Sequence, residues 1–329
     1  MKPCRGFVSS MHRLLLPLLV GIPLAGPVRG DTPGAAPSTS HLRQTNNEVL
    51  VRVSLPASTR YRLESSTDLE VWEGLASGVA TASSTHLDSA APRLPLRFYR
   101  TVLDSGTAVP TGDLLTASNG PAVLRPINHA TLILSWNGLT VYVDPVGGGA
   151  RFAGLPRPDI VLITHAHSDH FEVSTLTAVC TNTTIILAPA VVQASLSAAL
   201  KPSCAVMTNG SSTNLLGVTV EAVAMYNLTS AYHPKGTGNG YVVTLGGRRI
   251  YLSGDTEDIP EMRALRDIDV AFVCMNLPFT MTVTRAASAV RKFRPRVVYP
   301  YHYSDSNVNE FKRLVGTDVG VEVRLRKWY

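Results

Sequence analysis

Cysteine is scarce in this 329-residue chain, which has four, and none of them forms a C-x-x-C pair. The sequence therefore argues against a cysteine-based zinc or redox site. Cys4 lies in the N-terminal segment, so Cys180, Cys204 and Cys274 remain. An odd number leaves at least one thiol free in an exported protein. Cys180 and Cys204 are candidates for a disulfide, but we favour three unpaired cysteines that act as small buried apolar residues.

Charged residues are also few, at 16% of the chain, whereas hydrophobic residues make up 45%. This composition argues against global disorder and allows a large buried core. The formal net charge is +6, but four of the cations and none of the acids lie within residues 1–30. Removing that segment leaves 26 basic against 24 acidic residues, too small an excess to predict binding to nucleic acid or to an anionic membrane surface.

The N-terminal apolar run, residues 14–26, is too short for a transmembrane helix. It has about 13 residues, two of them proline, where a spanning helix needs ~20. A basic stretch precedes the run, and Val28 and Gly30 occupy the −3 and −1 positions of a cleavage site. We predict a signal peptide over residues 1–30 and a secreted or periplasmic protein with no membrane span after cleavage. A retained membrane anchor is the alternative.

The remaining sequence divides into four segments by composition. Residues 31–46 are small and polar and are predicted to be a linker. Residues 47–104 alternate polar and apolar positions between turns and resemble the small β-sandwich modules of secreted bacterial proteins. No catalytic side chains stand out there, so a structural role, or docking to a surface or polymer, is expected. Residues 105–120 are a second predicted linker, and residues 121–329 form the large domain.

The large domain mixes two kinds of sequence pattern. Asn137-Gly138 and Gly246-Gly247 each separate two strand-like runs, which predicts β-hairpins because tight hairpin turns need positive φ. Elsewhere strand-like and helix-like segments alternate. Hairpins combined with strand–helix units predict an α+β fold in which mixed sheets stack and helices cover them.

Three histidines and one aspartate follow an apolar strand-like run in Ile163-Thr-His-Ala-His-Ser-Asp-His170. Burying such a cluster is costly unless something satisfies it, and imidazole and carboxylate are ordinary ligands of zinc. His165 and His167 are spaced to reach one ion, whereas Asp169 and His170 suit a second. A solvated polar loop is the alternative, but the position directly after an apolar strand favours a metal site.

Further motifs follow in a fixed order over residues 121–329, the C-terminal two-thirds of the chain. They are Asn128-His-Ala-Thr-Leu-Ile-Leu, Val143-Asp-Pro, the histidine cluster, Tyr226-Asn, His233-Pro-Lys-Gly, Ile250-Tyr-Leu-Ser-Gly-Asp-Thr256, Met275-Asn-Leu-Pro and Tyr299-Pro-Tyr-His302. This succession resembles the metallo-β-lactamase superfamily. Within it, the succession is similar to ascorbate-6-phosphate lactonase-like and N-acylphosphatidylethanolamine phospholipase D-like enzymes. The resemblance implies a four-layer αββα sandwich.

The resemblance also assigns metal ligands. It places His165, His167 and His233 at the first of two divalent ions, Asp169, His170 and His302 at the second, and Asp255 as a bridge between them. Zn²⁺ is the favoured metal, with Mn²⁺ or Fe as alternatives. By its local pattern alone, His233 is equally compatible with a surface turn.

Several other residues are candidates for supporting or substrate-binding roles. Asp144 is expected to hold a ligating imidazole, because such a ring needs an acceptor for its other nitrogen. His129 matches a family histidine near the metals, with either a substrate or a packing role. Tyr226, Asn227 and Lys235 are candidates for the pocket wall by position only.

The predicted activity is that of a binuclear metal-dependent hydrolase in which a metal-bridging hydroxide attacks a small-molecule lactone or phosphodiester. Asp169 and Asp255 are the predicted catalytic residues. No G-x-S-x-G motif supplies a serine nucleophile. A nuclease is disfavoured by the small net charge. The alternative function is a secreted, metal-stabilised binding or docking protein without turnover.

Overall fold

The structure of the protein is a computed structural model that describes residues 38–43, 49–55, 59–79, 83–88, 97–103 and 112–329. The predicted signal peptide over residues 1–30 lies outside the described residues. Among the described residues, no helix is long and apolar enough to cross a membrane. The three cysteines in the described part of the chain are free thiols, and Cys204 and Cys274 are buried.

The N-terminal region contributes six strands. They are β1 (Ser38–Arg43), β2 (Val49–Ser54), β3 (Arg60–Ser66), β4 (Val71–Val79), β5 (Ser83–Asp88) and β6 (Phe98–Leu103). β1, β2 and β5 make a separate three-stranded antiparallel sheet. Apolar side chains of β2 and β3, among them Val51 and Leu63, share one buried core. This core arises because alternate residues of each strand point inward.

The first half of the large domain supplies most of a ten-stranded sheet. Its elements are β7 (Asp113–Leu115), β8 (Ala122–Asn128), β9 (Thr131–Trp136), β10 (Leu139–Val143), β11 (Ile160–Leu162), α1 (Val173–Val179), β12 (Ile185–Ala188), α2 (Ala190–Ser195) and β13 (Cys204–Val206). The sheet order is β13-β12-β11-β10-β9-β8-β7-β4-β3-β6. The predicted hairpin between β9 and β10 is confirmed, with Asn137 at φ 49° and Gly138 at φ 81°.

The second half forms a seven-stranded sheet in the order β14-β15-β16-β17-β18-β19-β20. Its elements are β14 (Ser212–Leu215), β15 (Val218–Met225), β16 (Gly238–Leu245), β17 (Arg248–Leu252), α3 (Pro260–Arg263), β18 (Val270–Cys274), α4 (Val283–Phe293), β19 (Val297–Tyr301), α5 (Val308–Val315) and β20 (Glu322–Val323). The strands β17 to β20 are parallel, and the predicted hairpin between β16 and β17 is confirmed.

The side chains of β9 point alternately to the two faces of the ten-stranded sheet, and each face packs against a different layer. Leu132 and Leu134 face the core shared with the seven-stranded sheet. Ile133 points the other way and joins a second core with α1 and α2. On the far side, buried residues of α4 and α5 pack on the seven-stranded sheet. The predicted order of helix, sheet, sheet and helix layers is therefore confirmed.

Two segments predicted to be linkers contain strands. Residues 38–43 form β1, and residues 113–115 form β7, which pairs with both β4 and β8. Leu114 and Leu115 are buried, because β7 lies inside the ten-stranded sheet rather than between domains. The hydrogen-bonded sheet thus continues across the predicted boundary, and the domain division itself stays a prediction.

A buried network of hydrogen bonds and ion pairs connects β7 to the seven-stranded sheet. The Asp113 carboxylate accepts hydrogen bonds from the Tyr299 hydroxyl and from the Arg326 guanidinium, whose Nη2 lies 2.9 Å from Asp113 Oδ2. Tyr299 belongs to β19 of the other sheet. The network therefore links the ten-stranded sheet to the seven-stranded one.

We expect Asp113→Ala to destabilise the fold by about 2 kcal/mol, because it removes the buried carboxylate that accepts from the Tyr299 hydroxyl, whereas Arg326 keeps its ion pair with Glu73. Chemical denaturation followed by circular dichroism measures this change. The matched control is Asp318→Ala, which removes an exposed carboxylate paired with Arg291. The denaturation midpoint of this control variant should differ little from that of the unmodified protein. Equal shifts of the midpoint in the two variants would contradict the structural role of Asp113.

Candidate metal centre

The site lies where several strands end at one edge of the stacked sheets. His165 follows β11 by three residues, and Asp255 follows β17 by three. Asp144 and His302 come directly after β10 and β19. Because β10 runs parallel to β11, and β17 parallel to β18 and β19, these strand ends converge within each sheet.

Asp255 lies at the centre of the cluster and is buried. Four imidazole nitrogens surround its carboxylate. The distances from the Nε2 atoms to the nearer Asp255 oxygen are 3.2 Å for His302, 3.3 Å for His170, 3.4 Å for His233 and 3.9 Å for His165. The predicted bridging residue therefore faces members of both predicted ligand sets.

The three residues assigned to the first ion lie together. His167 Nδ1 is 3.1 Å from His165 Nε2 and 3.0 Å from His233 Nε2. These atoms lie within 4.8 Å of one another, a spacing that one metal ion can bridge. His233 is buried and belongs to the cluster, so the surface-turn alternative for this residue is wrong.

The residues assigned to the second ion also converge, and His129 joins them. Asp169 Oδ2 lies 3.4 Å from His302 Nε2, 3.7 Å from His170 Nε2 and 3.2 Å from His129 Nε2. The ring centroids of His129 and His302 are 3.9 Å apart. His129, which the sequence left between a substrate and a packing role, thus directly contacts a predicted ligand.

The outer nitrogens of three imidazoles have hydrogen-bond acceptors. His170 Nδ1 donates to Asp144 Oδ2 at 2.7 Å, and His233 Nδ1 to the Phe279 carbonyl at 3.1 Å. The Thr164 hydroxyl donates to Asp144 at 2.7 Å and lies 3.0 Å from His165 Nδ1, from which it accepts. Protons on these Nδ1 atoms leave the Nε2 lone pairs directed into the cluster, as metal ligation requires.

Two buried atoms that face the interior of the cluster, His170 Nε2 and Asp255 Oδ1, make no well-formed hydrogen bond to the described residues, although they lie 3.3 Å apart. Unsatisfied buried polar atoms are costly, and a lone pair on each makes both atoms potential metal ligands. The inward nitrogens of His165, His167 and His233 likewise face one another at contact distance. The residues present therefore fit divalent metal ions.

The pKa values of the site residues indicate that the buried carboxylates of this cluster are stabilised by nearby positive charge. Burial opposes ionisation of Asp255, yet the imidazolium charges of His302 and His170 hold its pKa well below the usual range. Burial also disfavours the imidazolium of His302, but Asp255 and Asp169 raise its pKa to about 9. Burial and the neighbouring His170 charge lower the pKa of His165 well below its usual value. Protons on some of the imidazoles thus compensate the buried carboxylates.

Local backbone geometry brings these side chains inward. His129, Asp144, His233 and His302 all have positive φ, between 44° and 56°. Gly254 has φ +59°, and an added Cβ would lie 2.5 Å from Met225 Sδ. The turn before Asp255 therefore requires glycine for its conformation and for space.

The pocket-wall candidates divide into two groups. The Asn227 amide donates to the Phe279 carbonyl at 2.7 Å, so it supports the loop that holds His233. Lys235 pairs with Glu261 at 3.0 Å and lies 4.5 Å from the centre of the Tyr226 ring. Tyr226 and Lys235 thus form a separate cluster around Glu261.

Sequence reasoning missed three supporting residues: Thr164, Phe279 and Tyr329. Thr164 directly precedes His165, so a hydroxyl at that position was an available signal. Phe279 acts through its carbonyl and Tyr329 lies 200 residues from its partner His129. Neither contact has a local sequence signal.

Comparison with known proteins gives consistent matches. A model of the β-lactamase superfamily domain matches residues 124–302. A metal-dependent hydrolase of the UPF0173 group from Pyrococcus abyssi is 32% identical over 198 residues, which cover 56% of this chain and 88% of that protein. A UPF0173 metal-dependent hydrolase from Nitratidesulfovibrio vulgaris is 34% identical over 194 residues, covering 55% and 80%.

A solved structure matches as well. The crystal structure of a candidate metal-dependent hydrolase from Parabacteroides distasonis is 39% identical and superposes with a TM-score of 0.60. The match covers 65% of this chain and 97% of that one.

We expect Asp144→Asn to lower metal affinity ~10–100-fold, the usual effect of losing the acceptor behind a ligating imidazole. The new amide would turn its NH₂ group towards His170 Nδ1 and so drive the ring proton to Nε2, where it blocks ligation. Competition with a chromophoric chelator measures the affinity.

The matched control for that variant is Asp159→Asn. Asp159 accepts a hydrogen bond from the Thr140 amide at 2.8 Å, and the new side chain retains an oxygen for it. Unchanged affinity in Asp144→Asn would show that Asp144 does not orient His170 for metal binding.

Proposed function

Because this chain belongs to the β-lactamase superfamily of metal-dependent hydrolases and has the metallo-β-lactamase fold, we propose that it hydrolyses a lactone at a pair of divalent metal ions. The observation that carries this proposal is the arrangement around Asp255. Four imidazole nitrogens face one buried carboxylate, and two buried ligand atoms make no well-formed hydrogen bond to the described residues. Such a cluster suits metal binding better than a purely structural core.

The proposed ligand sets follow the geometry of the cluster. His165, His167 and His233 would hold one ion, while Asp169, His170 and His302 would hold the other, with Asp255 shared. Zn²⁺ suits this mixture of imidazole and carboxylate, and Mn²⁺ or Fe are the alternatives. When bound, such ions polarise a carbonyl oxygen and lower the pKa of a shared water towards ~7.

Asp169 is the residue to which we assign orientation of the nucleophilic water. Its side chain is 48% exposed, whereas those of Asp255 and the histidines facing it are almost fully buried. The carboxylate thus lies on the open side of the cluster, where substrate would enter. Hydrogen bonds from His129 and His302 overcome the effect of burial and hold the pKa of Asp169 well below its usual range. It is therefore ionised and able to orient the nucleophilic water.

The rim of the site favours an uncharged substrate with an apolar group. Leu228, Tyr232, Leu277 and Phe279 are large apolar side chains that are exposed there. They belong to the two loops that meet where His233 donates to the Phe279 carbonyl. A cavity of about 490 Å³ lies beside Leu277 and Phe279 and extends to Ser304, two residues after His302. The rings of Tyr232 and Phe279 lie in contact, with centroids 5.0 Å apart, and exposed apolar side chains that group in this way commonly mark a ligand site.

Two cations near the rim, Lys235 and Arg285, are already paired with carboxylates, which disfavours an anionic phosphodiester. Lys235 pairs with Glu261, and Arg285 pairs with Glu257 at 2.9 Å. Lys235 is a cation that could pair with an anionic substrate, but Glu261 compensates its charge. We therefore place the lactone ahead of the phosphodiester. On the order of its motifs, we also place the chain in the branch that contains ascorbate-6-phosphate lactonase-like and N-acylphosphatidylethanolamine phospholipase D-like enzymes.

We further propose that the protein is exported and that its N-terminal β-module has a docking role. The N-terminal 30 residues support secretion or periplasmic localisation, and the β-module at residues 47–104 is suited to contact a surface or a polymer. A secreted docking protein without turnover remains the alternative function, and the assay below distinguishes it from the hydrolase.

The test is hydrolysis of γ-decanolactone and of bis(4-nitrophenyl) phosphate by the zinc-loaded protein and by Asp255→Ala. We expect lactone hydrolysis that falls at least ~100-fold in the variant, since loss of the metals removes several kcal/mol of transition-state stabilisation. Asp318→Ala is the control and should match the unmodified protein. Hydrolysis of the phosphodiester alone would overturn the substrate assignment, and metal binding without either activity would favour the docking protein.

The apolar rim makes a separate prediction. Phe279→Ala keeps the carbonyl that supports His233 but removes the ring, so KM for γ-decanolactone should rise about tenfold while metal content stays constant. Leu216→Ala, which removes an exposed apolar side chain in the turn between β14 and β15, is the control. Steady-state kinetics on both variants checks this, and an unchanged KM in Phe279→Ala would exclude the rim from substrate binding.

A further inference from the structure

The Tyr329 hydroxyl lies between two groups of the candidate metal centre. The backbone N–H of Ser304 donates to the Tyr329 oxygen at 2.8 Å. His129 Nδ1 is 2.7 Å from the same oxygen. The other nitrogen of that ring, Nε2, is 3.2 Å from Asp169 Oδ2. Tyr329, His129 and Asp169 thus form one hydrogen-bonded chain that leads into the predicted second metal site.

The hydrogen-bond donors and acceptors of Tyr329, His129 and Asp169 determine which atom carries each proton in this series. The Tyr329 oxygen accepts from Ser304, so its own proton is free to be donated to His129 Nδ1. The His129 ring then carries its proton on Nε2, which donates to the Asp169 carboxylate. The opposite tautomer would place an Nε2 lone pair against a carboxylate oxygen, which is unfavourable.

Packing holds the Tyr329 hydroxyl in this position. The preceding residue, Trp328, is buried, and its ring centre lies 5.8 Å from that of Tyr301 and 6.0 Å from that of Phe272. The Trp328 carbonyl accepts a hydrogen bond from the His129 backbone N–H at 3.0 Å. The backbone of this segment is therefore tied directly to the residue that Tyr329 orients.

His129 is in turn coupled to a predicted metal ligand through its backbone. Its carbonyl accepts from the His302 N–H at 3.1 Å, and the two rings lie in contact. A rotation of the His129 ring would therefore disturb both Asp169 and His302. Both residues are assigned to the second ion.

We propose that Tyr329 is a positioning residue that fixes the Nε2–H tautomer of His129 and thereby holds Asp169 in place for the second metal ion. This inference concerns the same site as the proposed function and rests on it for the role of the metal. Its first readout, the ring tautomer, needs neither metal nor turnover, so the two proposals can fail separately.

The experiment compares the full chain with Tyr329→Phe by ¹⁵N NMR of the histidine rings, with Zn²⁺ affinity as the second readout. We expect the Nε2–H tautomer of His129 in the unmodified protein and a mixture of tautomers in Tyr329→Phe. Affinity for the second equivalent of Zn²⁺ should fall ~10–100-fold while the first is retained. Tyr303→Phe is the matched control, because Tyr303 packs on Tyr329 at 5.1 Å and its hydroxyl contacts Arg326.

A double-variant cycle distinguishes positioning from a general packing effect. In a His129→Gln background, the side-chain amide can donate to Asp169 without help from Tyr329. Adding Tyr329→Phe there should not weaken second-site Zn²⁺ binding further. The proposal is overturned if Tyr329→Phe keeps both the tautomer and the affinity, or if it weakens binding equally in both backgrounds.

Discussion

The carboxylate of Asp255 is the constraint on which the site depends. It is buried, and four imidazole nitrogens lie within 3.9 Å of it. A buried charge needs compensation, and in the described part of the chain the surrounding imidazoles, or cations bound among them, can provide it. This requirement explains why Thr164, Asp144 and the Phe279 carbonyl hold the outer nitrogens. With those three nitrogens occupied, the inner nitrogens of His165, His170 and His233 point at Asp255.

The two-sheet core provides the rigidity that this arrangement needs. Four residues of the site, His129, Asp144, His233 and His302, have left-handed backbone conformations. Such conformations cost roughly 1–2 kcal/mol for each residue with a side chain. Strain of this size persists only where the surrounding structure fixes the backbone. The buried strands on either side of each turn supply that restraint. The packed core therefore fixes the directions in which the site side chains point.

The sequence predicted the features whose signal is local. The histidine cluster lies in one short segment, and Asn137-Gly138 is a strong hairpin signal, so both could be identified without a structure. Residues that act across the fold gave no such signal. The strand at residues 113–115 was read as linker because three residues show no periodicity, yet it pairs on both sides. Tyr329 reaches His129 only through the packing of Trp328.

Anomalous diffraction at the zinc edge from crystals of the zinc-loaded protein tests the central claim most directly. The account predicts two peaks, one on each side of the Asp255 carboxylate. One peak should lie among His165, His167 and His233, and the other should lie beside Asp169. A single peak, or peaks away from Asp255, would contradict a shared binuclear centre.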